Sequence, residues 1–169
     1  FDNFENSRNY SMEMSKDKFE YCFWIDADEV MEIDLKVFDK NKLDKDLYMF
    51  NTYIGNMKYT RNECWKTSLP FKFYGPVHEF IVCDQQNISS GLMEGIVVKV
   101  YMDGGSWKGN VADKYKKHSA ILEDYIDNKD RNARWVFYTA QSYHDSASLP
   151  DNKEENEERL RMSLKYYKE

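Results

Sequence analysis

No run of apolar residues in this 169-residue chain approaches the ~20 needed to cross a bilayer. There is no basic excess either: the formal net charge is −6, so no cationic stripe exists to neutralise phosphates, and nucleic acid is excluded as an expected partner. The three cysteines, Cys22, Cys64 and Cys83, are scattered and odd in number. They match neither a disulfide framework nor a zinc spacing and read as reduced thiols, which points to a cytoplasmic setting. No sequence period repeats at fixed length, which argues against a solenoid. The chain opens at Phe1 within what reads as a domain already under way, leaving room for a targeting segment ahead of it.

What is present suits a globular protein with a core, at 41% apolar and 32% charged residues. Aromatics are frequent, with 13 Tyr, 10 Phe and 4 Trp; such rings line sugar sites but fill cores more often. Residues 4–15 predict a helix with Asn3 or Asn6 as its cap and Ser11, Met12 and Ser15 facing inward. Tyr21-Cys22-Phe23-Trp24-Ile25 is apolar on both faces, the pattern of a central parallel strand, and it stops at Asp26. Residues 47–54 and 57–65 predict two strands joined by Gly55-Asn56, a two-residue hairpin signal. Further strands are expected at 71–74, 80–82 and 96–101.

After the glycines at 104, 105 and 109, residues 113–126 predict a helix with Tyr115, His118, Leu122 and Tyr125 on one stripe. Residues 134–143 and 155–167 then predict a helical hairpin, with Leu160 and Tyr166 as anchors of its charged last helix.

The most informative segment is Trp24-Ile25-Asp26-Ala27-Asp28-Glu29. Open α/β sheets place ligands at the carboxyl ends of strands. Two carboxylates spaced i, i+2 at such an end suit Mg²⁺ or Mn²⁺, which take hard oxygen ligands and keep waters and phosphates in the shell. Acids also follow buried strands simply because the chain is reaching solvent, and Glu29, the third acid here, stays open between a part in the site and simply facing solvent.

Phe1-Asp-Asn-Phe-Glu-Asn-Ser-Arg-Asn-Tyr-Ser, a helix, and W-I-D-A-D-E resemble the D-F-x-x-x-R-N segment and L-D-A-D-E strand end of family-2 glycosyltransferases with the GT-A fold. Gly75-Pro76-Val77-His78-Glu79 resembles their G-x-x-H-E element. Lys114-Tyr-Lys-Lys-His-Ser-Ala-Ile-Leu resembles their K-x-x-R-x-x-x-L-L helix, with Lys117 where arginine is usual. Phe137-Tyr-Thr-Ala-Gln-Ser-Tyr resembles the F-Y-L-A-Q-S-Y helix of members with a tetratricopeptide-like tail. These likenesses run in family order from Phe1 to about Tyr143. They imply an α/β fold: a partial GT-A, Rossmann-like mixed sheet flanked by helices, with a C-terminal helical hairpin. Residues 1–127 would be the C-terminal part of the catalytic domain and 128–169 the tail. In the family, a strand and a D-x-x-S-x-D-x-T-like segment that hold base and ribose precede this region.

The resemblance also implies roles. Asp28 would contact Mn²⁺ or Mg²⁺, with Asp26 supporting the metal or the donor ribose. Asp103 would replace, as an oxygen ligand to the metal, the histidine that the family often has before the glycine-rich break. Glu79 would be the general base of an inverting transfer, with His78 as its orienting, metal or acceptor-binding neighbour. Arg8 and Lys114 would reach the diphosphate of a nucleotide-sugar donor, a UDP-sugar first among candidates. The acceptor would be a glycan, lipid or protein hydroxyl. Trp107, between glycines, would cover the donor, while His118 and His144 read as structural.

Two other functions fit the same residues. Asp26-Ala-Asp-Glu-Val30 satisfies the D-x-D-x-[TV] nucleophile motif of haloacid-dehalogenase-like phosphatases, which leaves 75–79 unexplained. A non-catalytic module binding glycans or proteins through its aromatic surface is the third reading.

Overall fold

The computed structural model describes residues 4–101, 110–147 and 152–169. It is a mixed α/β structure that divides into two compact units: Phe1–Tyr74 with Glu79–Gly104, and Gly75–His78 with Gly105–Glu169. The first is the sheet unit and the second the helical unit. Helix 111–128, expected within the catalytic domain, groups with the two helices that follow it.

The sheet unit begins with α1 (Phe4–Ser15), then β1 (Tyr21–Phe23), β2 (Glu29–Ile33), β3 (Leu47–Ile54), β4 (Met57–Lys66), β5 (Phe71–Tyr74), β6 (Phe80–Cys83) and β7 (Ser90–Val100). Among the described residues, five strands form one sheet in the order β1-β4-β3-β7-β2, and β5 pairs with β6 separately. The β3–β7 pairing is parallel and the others are antiparallel. Gly55 supplies the positive φ of the β3–β4 turn, where a side chain would be strained. Tyr48, Phe50, Cys64, Met93, Ile96 and Val98 fill one core cluster. Met12, Leu47, Trp65, Phe73 and Ile81 fill another.

Three expectations change here. β1 is not a central parallel strand: it is three residues long, lies at a sheet edge and pairs antiparallel with β4 alone. Its apolar run is therefore incompletely covered, and Phe23 stays 51% exposed. β2, absent from the strands expected on pattern, starts at Glu29 and occupies the opposite edge. Of the residues of α1 expected to face inward, Met12 is buried and Ser15 half-buried but Ser11 is exposed; Arg8 and Asn9 are half-buried as well. Asn9 explains the helix's seat, because its side chain donates to Phe73 O (2.9 Å) and accepts from Phe73 N (2.7 Å), completing the hydrogen bonds of β5.

The two edge strands impose a geometric demand. Only residues 24–28 join β1 to β2, and a turn closed by Glu29 N donating to Asp26 O (3.0 Å) shortens that link. Across a flat sheet, edge strands would stand about 19 Å apart at ~4.8 Å per strand, near the full reach of the link even when extended. The sheet curls instead, and the acidic link runs across its end.

The helical unit holds α2 (Val111–Asn128), α3 (Ala133–Ser146) and α4 (Lys153–Tyr167). Each starts at an asparagine cap, Asn110, Asn132 and Asn152, whose side chain accepts a free amide of the first turn. Trp135 is fully buried and donates its indole N–H to Asp130 (3.1 Å). Gly75 lies against it: a Cβ there would sit 2.1 Å from the indole, at a φ of +118°. Tyr143 and Tyr166 stack and share Glu123 (2.8 and 2.7 Å), while Arg159 donates to Ser146 and Ser119 (2.6 and 2.8 Å). Tyr166 is the buried anchor of α4; Leu160, expected as another, is 46% exposed because Ser163 takes the inward place. Among the described residues no helix is long and apolar enough to cross a membrane.

Candidate functional site

The acidic link carries its polar groups in a fixed order. Trp24 N donates to Glu63 O (2.8 Å), and the Trp24 indole N–H donates to Asp26 Oδ1 (2.8 Å). Asp26 N donates back to Glu29 Oε2 (3.0 Å), so Asp26–Glu29 is closed by one backbone and one side-chain bond. Asp28 O accepts from Tyr101 N (2.8 Å). The Asp28 carboxylate has no hydrogen bond or ion pair among the described residues.

Arg8 stands at the centre. Its Nη2 lies 3.1 Å from Asp26 Oδ1, and its Nε lies 2.6 Å from Glu79 Oε1. The Nε–H does not point along the Glu79 line, so that contact is an ion pair rather than an aligned hydrogen bond. The guanidinium carbon is 4.4 Å from the Trp24 ring centroid and 5.1 Å from that of Phe73, within cation–π range. Residues 8, 26 and 79, from α1, the β1–β2 link and the position just before β6, thus meet at one cation.

A second arginine lies beside this group. Arg61 Nη2 is 2.5 Å from Glu29 Oε1, and Arg61 Nε is 2.5 Å from Glu63 Oε1. The Glu29 side chain is only 2% exposed, which removes its solvent-facing reading. Glu63 is the extra residue of a bulge in β4, since Tyr48 pairs with Cys64 and Met49 with Asn62. Bulges re-aim side chains and recur beside active sites. The other oxygen of Glu63 is buried without a partner. Burial pushes the Glu63 carboxyl up to about 7, against the opposing pull of Arg61.

Sequence reasoning assigns no role to Arg61 or Glu63. An arginine and a glutamate two apart in a strand are the available signal, but the bulge that turns Glu63 inward has no sequence signature.

Two arginines pair with four carboxylates here, Asp26, Glu29, Glu63 and Glu79, and Asp28, on the same link, is a fifth acid with no ion pair among the described residues. With Glu63 part-protonated, roughly two to three negative charges remain uncompensated. This excess and the unpartnered Asp28 fit a hard divalent cation that takes much of its shell from water or phosphate. No group of three or more His, Cys, Asp or Glu is disposed as a metal cage among the described residues. Asp103 and Trp107 lie outside the described residues.

In the helical unit, His78 adopts a left-handed φ of +54°, uncommon for a residue with a Cβ. Its carbonyl accepts from Arg134 Nη2 (2.9 Å). Its ring stacks on Tyr138 at 4.2 Å and meets His118 edge-on at 5.6 Å. Burial, then the neighbouring His118, Lys114 and Arg134, pushes the His78 imidazole down to about 4. Burial and Lys114 push His118 down to about 4 as well, and its Nδ1 is buried without a hydrogen bond. Both rings are neutral at physiological pH. Lys114, in the first turn of α2, has its ammonium 5.5 Å from the Tyr115 ring centroid. His144 lies beside Asp145 (3.0 Å).

Thus Arg8, Asp26 and Glu79 are brought together in the sheet unit, and Lys114 and His78 belong to the helical unit. No family model matches the chain, and no curated protein matches it significantly. Function has to be read from the site.

Proposed function

We propose that this chain carries the acidic, base-bearing part of a glycosyltransferase site of the GT-A type, moving a sugar from a nucleotide-sugar donor to an acceptor hydroxyl. The observation that supports it most is the meeting of Arg8, Asp26 and Glu79 at one guanidinium. Those residues come from three separate segments, each of which the family resemblance names independently.

In this reading Asp28 would hold Mn²⁺ or Mg²⁺, and Asp26, whose two oxygens Trp24 and Arg8 occupy, would support a metal-bound water or the donor ribose. The ion would supply charge to offset that developing on the departing nucleoside diphosphate. Arg8 adds positive charge from the chain itself, because a diphosphate competes with carboxylates for a guanidinium. Drawn onto the donor, Arg8 would leave Glu79. The freed carboxylate then accepts the proton of the acceptor hydroxyl as its oxygen bonds to the anomeric carbon and the carbon–phosphate-oxygen bond breaks. Trp24 keeps Asp26 oriented through the indole N–H and offers its ring beneath Arg8.

A dehalogenase-like phosphatase is less well served. Its nucleophile, Asp26, would need an oxygen free to meet phosphorus, whereas Trp24 and Arg8 occupy both.

Thermal melts with Mn²⁺ and UDP test the reading. The melting temperature should rise for the wild type and not for Asp28→Ala, while Glu79→Gln should keep the shift and lose transfer. A full shift in Asp28→Ala removes it as the cation ligand. No shift of the wild type with any nucleoside diphosphate overturns the donor assignment.

A further inference from the structure

The acidic turn is held from behind. Glu29 does two jobs with one carboxylate: Oε2 receives the Asp26 amide (3.0 Å), and Oε1 receives Arg61 (2.5 Å). Arg61 is also ion-paired with Glu63 (Nε 2.5 Å from Oε1, without an aligned N–H bond), and the Glu63 carbonyl receives the Trp24 amide (2.8 Å). Strand β4 therefore grips both ends of the link that carries Asp26 and Asp28, through Arg61 at Glu29 and through the Glu63 bulge at Trp24. Neither Arg61 nor Glu63 contacts Arg8, Asp26 or Glu79 through any hydrogen bond or ion pair among the described residues. Glu29 and Glu63 are almost wholly buried, and a buried carboxylate–guanidinium arrangement of this kind costs desolvation that simple stability does not require.

We propose that Arg61, braced by Glu63, is the positioning residue that sets the Asp26–Glu29 turn and through it the cation affinity of Asp28. It acts through Glu29 and touches no reacting atom. A planar guanidinium hydrogen-bonds one carboxylate, Glu29, while its charge faces a second, Glu63, a geometry that an ammonium does not reproduce at the same spacing. Supporting residues of this kind typically change metal affinity 10- to 100-fold when replaced. The positioning stands on the geometry alone; only its consequence for a cation rests on the function proposed above.

Trp24 supplies a reporter, because its indole N–H is bonded to Asp26 itself. In ¹⁵N-labelled protein the indole resonance of Trp24, assigned by its loss in Trp24→Phe, reads the turn, and that of Trp135 in the helical unit serves as the control. Mn²⁺ alone is then titrated and the broadening of the Trp24 signal followed.

Arg61→Met should displace the Trp24 resonance, leave Trp135 in place, and raise the Mn²⁺ concentration for half-broadening by roughly tenfold or more. Arg61→Lys should recover part of both. Glu63→Gln, which preserves shape, should move Trp24 in the same direction by less, so the idea stays testable if Arg61→Met does not fold. An unmoved Trp24 resonance in Arg61→Lys and Glu63→Gln, with Mn²⁺ broadening as in the wild type, overturns the positioning role. A displaced Trp24 resonance in protein that Mn²⁺ never broadens upholds the positioning and instead sinks the cation reading.

Discussion

The two units bury titratable groups in opposite ways. In the sheet unit, Arg8 and Arg61 stand within ion-pair distance of Asp26, Glu79, Glu29 and Glu63. Opposite charge offsets the cost of taking those carboxylates from water, except at Glu63, where burial outweighs Arg61. In the helical unit, His78 and His118 are half-buried beside Lys114 and Arg134, cations that oppose protonation just as desolvation does. There every influence but the Asp145 carboxylate acts in one direction, and the rings stay neutral. The same desolvation thus yields a charged, poised site in one unit and an uncharged aromatic stack in the other. What decides is the sign of the neighbours.

The comparison breaks most violently if packing rather than charge is removed. Trp135→Ala empties a fully buried site against Gly75 and removes the indole donor to Asp130. It should cost about 3–5 kcal/mol, read as a lowered denaturant midpoint. A loss below about 1 kcal/mol would mean that the helical unit does not depend on this indole.

Acidity should separate the units more selectively. Glu63 has a folded value near 7 against 4.5 for an ordinary glutamate. The folded chain therefore holds its proton more tightly between those values, and stability falls as pH rises from about 4.5 to 7, by at most about 3 kcal/mol. His78 and His118 run the other way. Their folded values near 4 lie below the ordinary 6.5, so the unfolded chain binds more protons between pH 4 and 6.5. Stability is full above pH 6.5 and is lost as pH falls towards 4. The two windows overlap between about pH 4.5 and 6.5 with opposite sign, so Glu63→Gln should make stability rise more steeply with pH there, and His118→Phe should make it rise less. Exchange of those two outcomes, or no change in either, would refute the assignment.

Much of this is open to reading in the residues. The Gly55-Asn56 hairpin, α1 and the three C-terminal helices follow from local signals of turn, cap and period, and the structure has them within a few residues of expectation. The acidic pair and His-Glu stand out because their spacing is local too. What stays hidden depends on contacts between distant segments. β1 reads as central because five apolar residues say nothing about how many neighbours a strand will have. Glu29 stays open between site and solvent because its partner, Arg61, lies 32 residues on. Glu63 turns inward at a bulge that only the pairing of β3 with β4 creates. Arg8 is the instructive case: the likeness singles it out, but its joint hold on Asp26 and Glu79 requires the fold.

The finest test of the comparison lies within the sheet unit, between acids a few residues apart. Asp26 and Glu29 are tied to neighbours on both carboxylate oxygens, whereas the Asp28 carboxylate is held by nothing described and contributes through its backbone carbonyl alone. Asp28→Asn keeps that carbonyl and the side-chain shape while deleting one charge from a cluster already too negative. Without metal its stability should stay within about 0.5 kcal/mol of the wild type or rise slightly, as expected when no paired group is lost. Glu29→Gln, one residue on, removes the partner of a buried arginine and should cost several times more. Equal losses in the two variants would mean that Asp28 is tied into the fold like its neighbours.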